Sequence, residues 1–145
     1  MTRKEIGIWY QYKDGERYYT VSRGTKHSVG YDLFAVNPTT VGFGRVTTVD
    51  TGIKVSLPHG TFAMVCPRSG LAAKHGITVV NAPGIIDPDY NDTIKVILTR
   101  VIQGDPYQIN AMDKIAQLVI VQSTIIDDDH EILPTRQGGL GSTGA

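Results

Sequence analysis

Arg45-Val46-Thr47-Thr48-Val49-Asp50-Thr51-Gly52-Ile53-Lys54-Val55-Ser56-Leu57 sets Ile53, Val55 and Leu57 against Lys54 and Ser56. This alternation is that of a strand with one buried face. Pro58-His59-Gly60 then turns the chain, and Thr61–Cys66 follows as a second β-rich run. Upstream, Val29–Val36 ends at Asn37-Pro38; downstream, Ile77–Val80, Thr93–Ile102 and Lys114–Val121 recur. Pro83-Gly84, Asn91-Asp92 and Gly104-Asp105-Pro106 supply turns between them. Many short strands with regular turn residues predict an all-β sandwich or barrel, not strands alternating with crossover helices. The exception is Ser69–His75, where Leu71, Ala72, Ala73 and Lys74 favour a short helix and Gly76 is placed to end it. Pro134–Ala145 is too rich in glycine to hold a strand unaided, so a single β domain over residues 1–133 and a mobile arm over 134–145 are expected.

A chain of 145 residues suits one compact domain. Its 14 basic and 14 acidic residues cancel, which removes any global electrostatic case for a nucleic-acid or membrane partner. A polyanion must then be held by a local site. Cys66 is the only cysteine, which excludes an intrachain disulfide and a cysteine-rich zinc centre. Arg3, Lys4 and Glu5 interrupt the start as a signal peptide, and no apolar run approaches the ~18 residues of a membrane span. A cytoplasmic protein, or one of a host-cell cytoplasm, is expected.

Three segments carry chemistry. Pro67-Arg68-Ser69-Gly70-Leu71 reads equally as a helix start with Ser69 near the N-cap and as a phosphate cradle of free N–H groups and a guanidinium. Asn81–Asp92 places three acids, two amides and a phenol between two strands, with bends at both ends that let the polar groups share one loop. A solvated hairpin satisfying its own backbone accounts for the same residues. Gly138-Gly139-Leu140-Gly141-Ser142-Thr143-Gly144 offers backbone N–H groups and hydroxyls to an anion but lacks the Gly-Lys-Ser/Thr ending of a Walker loop.

Together, Gly30-Tyr31-Asp32-Leu33-Phe34-Ala35, Pro67-Arg68-Ser69-Gly70-Leu71-Ala72, Gly84-Ile85-Ile86-Asp87-Pro88-Asp89-Tyr90, Asp113-Lys114-Ile115-Ala116-Gln117-Leu118 and Gly138–Gly144 resemble the five ordered motifs of trimeric dUTPases. The resemblance runs from about Val29 to the C-terminus. It implies a jelly-roll-like β subunit, a homotrimer with sites shared between chains, and magnesium-assisted hydrolysis of dUTP to dUMP and pyrophosphate. That reaction keeps uracil out of DNA and supplies dUMP for thymidylate synthesis. Asp87 matches the general base that activates water at the α-phosphorus, and Tyr90 the ring beneath the deoxyribose that rejects a 2′-hydroxyl. Asn81 and the backbone of the hairpin, with Gly84 and Ile86, match the uracil-reading edge. Arg68, Ser69, Gly70 and Gln117 match the phosphate group, and Asp32 the carboxylate that meets magnesium through water. The arm, Arg136 with Gly138, Gly139, Leu140, Gly141, Ser142 and Thr143, matches a lid over a neighbouring subunit's site.

The sequence departs from that pattern in places. Met112 replaces a common glycine, Lys114 a frequent arginine, and Asp92 a hairpin glycine. Leu140 stands for the aromatic that caps uracil. The usual arm arginine position holds Thr135, with Arg136 one residue nearer the glycines, which leaves the reach of Arg136 to the γ-phosphate open. A dCTP deaminase needs a glutamate just after the hairpin, where Asp92-Thr93-Ile94-Lys95 has none. A binding-only trimer is disfavoured by Asp87 and Tyr90, though a regulatory protein partner remains compatible with both. Trp9, Tyr10, Tyr12, Tyr18 and Tyr19 are read as edge-strand packing.

Overall fold

The computed structural model describes residues 23–124, the backbone of strands 7–11 and 17–19, and Leu140. In chain order the elements are β1 (Gly7–Gln11), β2 (Arg17–Tyr19), β3 (Gly30–Phe34), β4 (Thr39–Val41), β5 (Thr47–Asp50), β6 (Ile53–Ser56), β7 (Thr61–Cys66), α1 (Ser69–His75), β8 (Ile77–Val79), β9 (Gly84–Ile86), β10 (Lys95–Arg100), β11 (Tyr107–Ile109) and β12 (Lys114–Gln122). The sheets run β2-β1-β6, β5-β10-β8, β11-β4 and β3-β12-β7-β9. Every strand pairing in them is antiparallel. This is the all-β architecture expected, with one short helix. Of the N-terminal aromatics read as edge-strand residues, Tyr18 and Tyr19 are on the edge strand β2, Trp9 and Tyr10 are on β1 between β2 and β6, and Tyr12 lies outside the described residues.

The run from Arg45 to Leu57 is two strands, not one. Gly52 has φ 65°, and the Asp50 carboxylate accepts its N–H at 2.9 Å. Thr51 is fully buried, its hydroxyl donating to the Ile94 carbonyl at 2.7 Å and accepting from the Ile53 N–H at 3.2 Å. A buried hydroxyl needs such partners, and meeting them folds the chain into a corner between β5 and β6. The Ser69–His75 helix has the expected bounds. Gly76 closes it at φ 62°, its N–H donating to the Ala72 carbonyl.

Burial alternates along β5, β6, β7, β8, β9 and β10, and the strands feed one core. Leu33, Ala63, Val65, Ile86, Ala116 and Leu118 come from the β3-β12-β7-β9 sheet, and Val49, Ile77, Val79, Val96 and Leu98 from β5-β10-β8. Cross-strand partners share a face. The register therefore puts Phe62, Met64, Ile85, Val119 and Val121 on the opposite side of the first sheet, turned from the core.

Candidate functional site

The same register sets Gln117 opposite Asp32 on one side and opposite Cys66 on the other. These side chains form a row across β3, β12 and β7 on the sheet's outer face. Past Cys66 the chain turns through Pro67 and Arg68 into α1, so the row ends at the helix start. Gln117 Nε2 donates to the Pro67 carbonyl at 3.0 Å. Arg68 Nη1 donates to the Lys114 carbonyl at 3.1 Å, and Lys114 Nζ stands 3.4 Å from Asp32 Oδ2. Asp32, Arg68 and Gln117, which the sequence placed in three separate motifs, thus converge on one end of one sheet.

Arg68 is the N-cap, extended at φ −96° and ψ 132°, with no side-chain cap bond. Ser69 is the first helical residue and exposed, one position inside the cap expected of it. A Cβ on Gly70 would meet nothing within 4 Å, so the surface there is open. Beside it lies a cavity of about 400 Å³ bordered by Arg68, Leu71, Tyr107, Met112 and Lys114. Guanidinium, ammonium and amide donors at one open surface suit an oxyanion.

Gly30 carries a role that was not assigned to it. A Cβ there would overlap Gln117 Oε1 and lie 3.0 Å from Gln117 Cδ. A bare Cα at Gly30 leaves, on the β3 side, the space that Gln117 Oε1 occupies while Nε2 donates to the Pro67 carbonyl on the β7 side. The signal was available, since a lone glycine inside a strand pattern marks a close approach.

The hairpin residues do not fill a single loop, because Gly84–Ile86 pair with Ala63–Val65 as β9. Exposed Asn81 lies before this strand, its Nδ2 3.1 Å from where a Gly84 Cβ would stand. Asp87 and Tyr90 follow it, in a turn closed by the Tyr90 N–H on the Asp87 carbonyl at 3.1 Å. The Tyr90 hydroxyl donates to the Thr93 carbonyl at 2.8 Å, which leaves the ring half-buried against the core. Asp92 accepts the Thr93 N–H at 2.7 Å and pairs with Lys95 at 3.7 Å.

Asp87 and the Asp32–Gln117–Arg68 group do not meet in one chain. From β9, which leads into Asp87, Asp32 is three strand steps away and Gln117 two, with about four residues of offset along β7, roughly 15–20 Å at ordinary strand spacings. Arg136, Gly138, Gly139, Gly141, Ser142 and Thr143 lie outside the described residues. Leu140 is exposed. Among the described residues no three His, Cys, Asp or Glu side chains gather as a metal cage. One carboxylate fits an ion that keeps several waters and takes its other oxygens from phosphates, as magnesium does. No helix among these residues is long and apolar enough to cross a membrane.

Fold and site together define an antiparallel β protein with a donor-rich oxyanion surface at one end of a sheet and a carboxylate–phenol turn at its edge. A family model described as dUTPase matches residues 17–144, and the chain belongs to the dUTPase family. It is 44% identical over 126 residues to the deoxyuridine 5'-triphosphate nucleotidohydrolase of Rickettsia akari, covering 83% of this chain and 84% of the relative. The protein of the same name from Corynebacterium glutamicum is 43% identical, covering 84% and 85%. Among solved structures, a mutant dUTPase from phage phi11 of S. aureus, described for its coordination of a structural Mg(II) ion, shares the fold. The TM-score is 0.74 at 22% identity, over 88% of this chain and 97% of that one. The dUTPase from Streptococcus mutans matches at TM-score 0.73 and 25% identity, over 84% and 99%.

Proposed function

We propose that the protein is a dUTP diphosphatase that cleaves dUTP to dUMP and pyrophosphate, keeping uracil from DNA and supplying dUMP. One observation carries the architecture of the site: strand order and register set Asp87 roughly 15–20 Å from Asp32 and Gln117, too far for these residues to meet at one α-phosphorus within one chain. A site completed by a neighbouring subunit resolves this. The sheet side bearing Phe62, Met64, Ile85, Val119 and Val121, with Ile85 52% exposed, supports a homotrimer in which such faces are covered.

In this reading Arg68, Ser69, Gly70 and Gln117 of one subunit hold the triphosphate. Asn81, Gly84 and Ile86 of another read uracil, whose O4 acceptor the cytosine amino group does not reproduce. Tyr90 packs under the deoxyribose. Asp87 accepts the proton of the water that attacks the α-phosphorus, and Ser69 stabilises charge on the departing pyrophosphate. Asp32 would hold magnesium through water, and the ion would supply positive charge against the triphosphate. The arm with Arg136, Gly138, Gly139, Leu140, Gly141, Ser142 and Thr143 covers the nucleotide and excludes water.

Release of pyrophosphate and of ammonia should be followed with dUTP, dCTP, dTTP and UTP. Pyrophosphate from dUTP alone is expected. Comparable turnover of dTTP or UTP would remove the proposed specificity, and ammonia from dCTP would replace hydrolysis with deamination.

A further inference from the structure

Lys114-Ile115-Ala116-Gln117 breaks the alternation of β12. Ile115 and Ala116 are adjacent, yet both are in the core at 1% and 0% exposure. The pairing with β3 explains it. Lys114 opposes Phe34 and Ala116 opposes Leu33, so β12 spends one residue more than its partner over this step. That extra residue is a β-bulge, a device that re-aims a side chain. Under regular alternation Lys114 would share the core side of Ala116. With the bulge it shares the side of Gln117 and Asp32.

Three contacts follow from that turn. The ammonium lies 3.4 Å from Asp32 Oδ2, the lysine side chain being 44% and the aspartate 14% exposed. The Lys114 carbonyl accepts from Arg68 Nη1 at 3.1 Å. Gln117, three residues on, donates to Pro67. The lysine therefore stands between the site's carboxylate and its guanidinium. A carboxylate there repels an incoming triphosphate unless a cation faces it.

We propose that Lys114 is a positioning residue that counters the charge of Asp32 while magnesium is absent, and so sets how strongly magnesium and nucleotide binding depend on each other. This rests on the dUTP reading above. When magnesium arrives with the nucleotide, its charge does the neutralising and the lysine matters less. Removing the lysine therefore weakens metal-free binding more than metal-loaded binding. Coupling is reciprocal, so the bound nucleotide must raise magnesium affinity by the same added factor.

The test measures binding of the non-hydrolysable α,β-imido analogue of dUTP by calorimetry, in EDTA and in saturating magnesium. The quantity read is the ratio of the two dissociation constants. Lys114→Met should raise that ratio about five- to tenfold. Lys114→Arg, which keeps the charge, should hold it within about twofold of the wild type and serves as the folded control. In an Asp32→Asn background, Lys114→Met should leave the ratio unchanged, because the charge that the lysine faces at 3.4 Å is gone. An unchanged ratio in Lys114→Met, or an equal rise with and without Asp32, would overturn the proposal while leaving the dUTP reading intact. Failure of the wild type to bind the analogue in magnesium would overturn both.

Discussion

Replacing Gly30 by alanine should separate the aim of Gln117 from the integrity of the fold. Gly30 is buried in β3, and an added Cβ overlaps Gln117 Oε1, with Gln117 Cδ at 3.0 Å and Cβ at 3.2 Å. The amide end can swing away, but the Gln117 Cβ is fixed by β12, so the variant bears two costs. Losing the bond to Pro67 costs about 0.5–1.5 kcal/mol, and overpacking a buried position costs about 1–3 kcal/mol. Relaxation at each lessens the other, so a net loss of roughly 1–3 kcal/mol is expected, lowering Tm by about 3–10 °C for a chain near this size. Activity should fall further than stability explains. An amide donating to a charged phosphate contributes about 1.5–3 kcal/mol, so kcat/KM for dUTP should drop about 10- to 150-fold. The pairing with Gln117→Ala isolates the cause. In the double variant the overlap with the amide is gone, and Tm should recover towards that of Gln117→Ala alone while activity stays low. Stability losses that simply add, or kcat/KM within about twofold of wild type in Gly30→Ala, would refute the close-approach reasoning.

Asp87→Asn should keep binding of the imido analogue and reduce single-turnover hydrolysis about 100- to 10,000-fold; turnover near that of the wild type would take Asp87 out of the role of base. Tyr90→Ala should narrow the gap in kcat/KM between dUTP and UTP. Tyr90→Phe should preserve that gap and lose only the bond to Thr93, about 0.5–1.5 kcal/mol by denaturant titration; equal selectivity in all three proteins would move sugar choice elsewhere. Met112 is exposed and adopts φ 69°, unlike any other non-glycine residue among those described. Met112→Gly should relieve about 1–2 kcal/mol of left-handed strain against about 0.4–1 kcal/mol of added freedom in the unfolded chain. A net gain of about 0.5–1 kcal/mol in thermal unfolding is expected, with no gain in Met112→Ala. A glycine variant no more stable than wild type would count against strain at this turn.

The strand-rich pattern, the Ser69–His75 helix and its Gly76 stop were legible because each is written in a local signal: alternation, helix formers, a C-terminal glycine. The corner at Thr51 was not. Asp50-Thr51-Gly52 turns because of a hydroxyl bond to Ile94, forty-three residues away. Short strands β4, β9 and β11 were hidden for a related reason: three residues carry little periodicity, and none of these sits in a β-branched run as long as Ile77–Val80, which made equally short β8 readable. The site showed the same division. Residue types and motif order named Asp32, Arg68, Gln117, Asp87 and Tyr90, but their separation across the sheet depends on strand order. The bulge was equally silent, because Lys-Ile-Ala-Gln contains no residue that marks one.

Arg68 rests on the carbonyl of Lys114, and a carbonyl is common to every amino acid. Codon changes at position 114 can thus alter the charge opposite Asp32 without moving the guanidinium. On the proposed reading, position 114 is free to retune how far nucleotide binding leans on the metal, while the seat of the guanidinium stays the same whatever residue is encoded there.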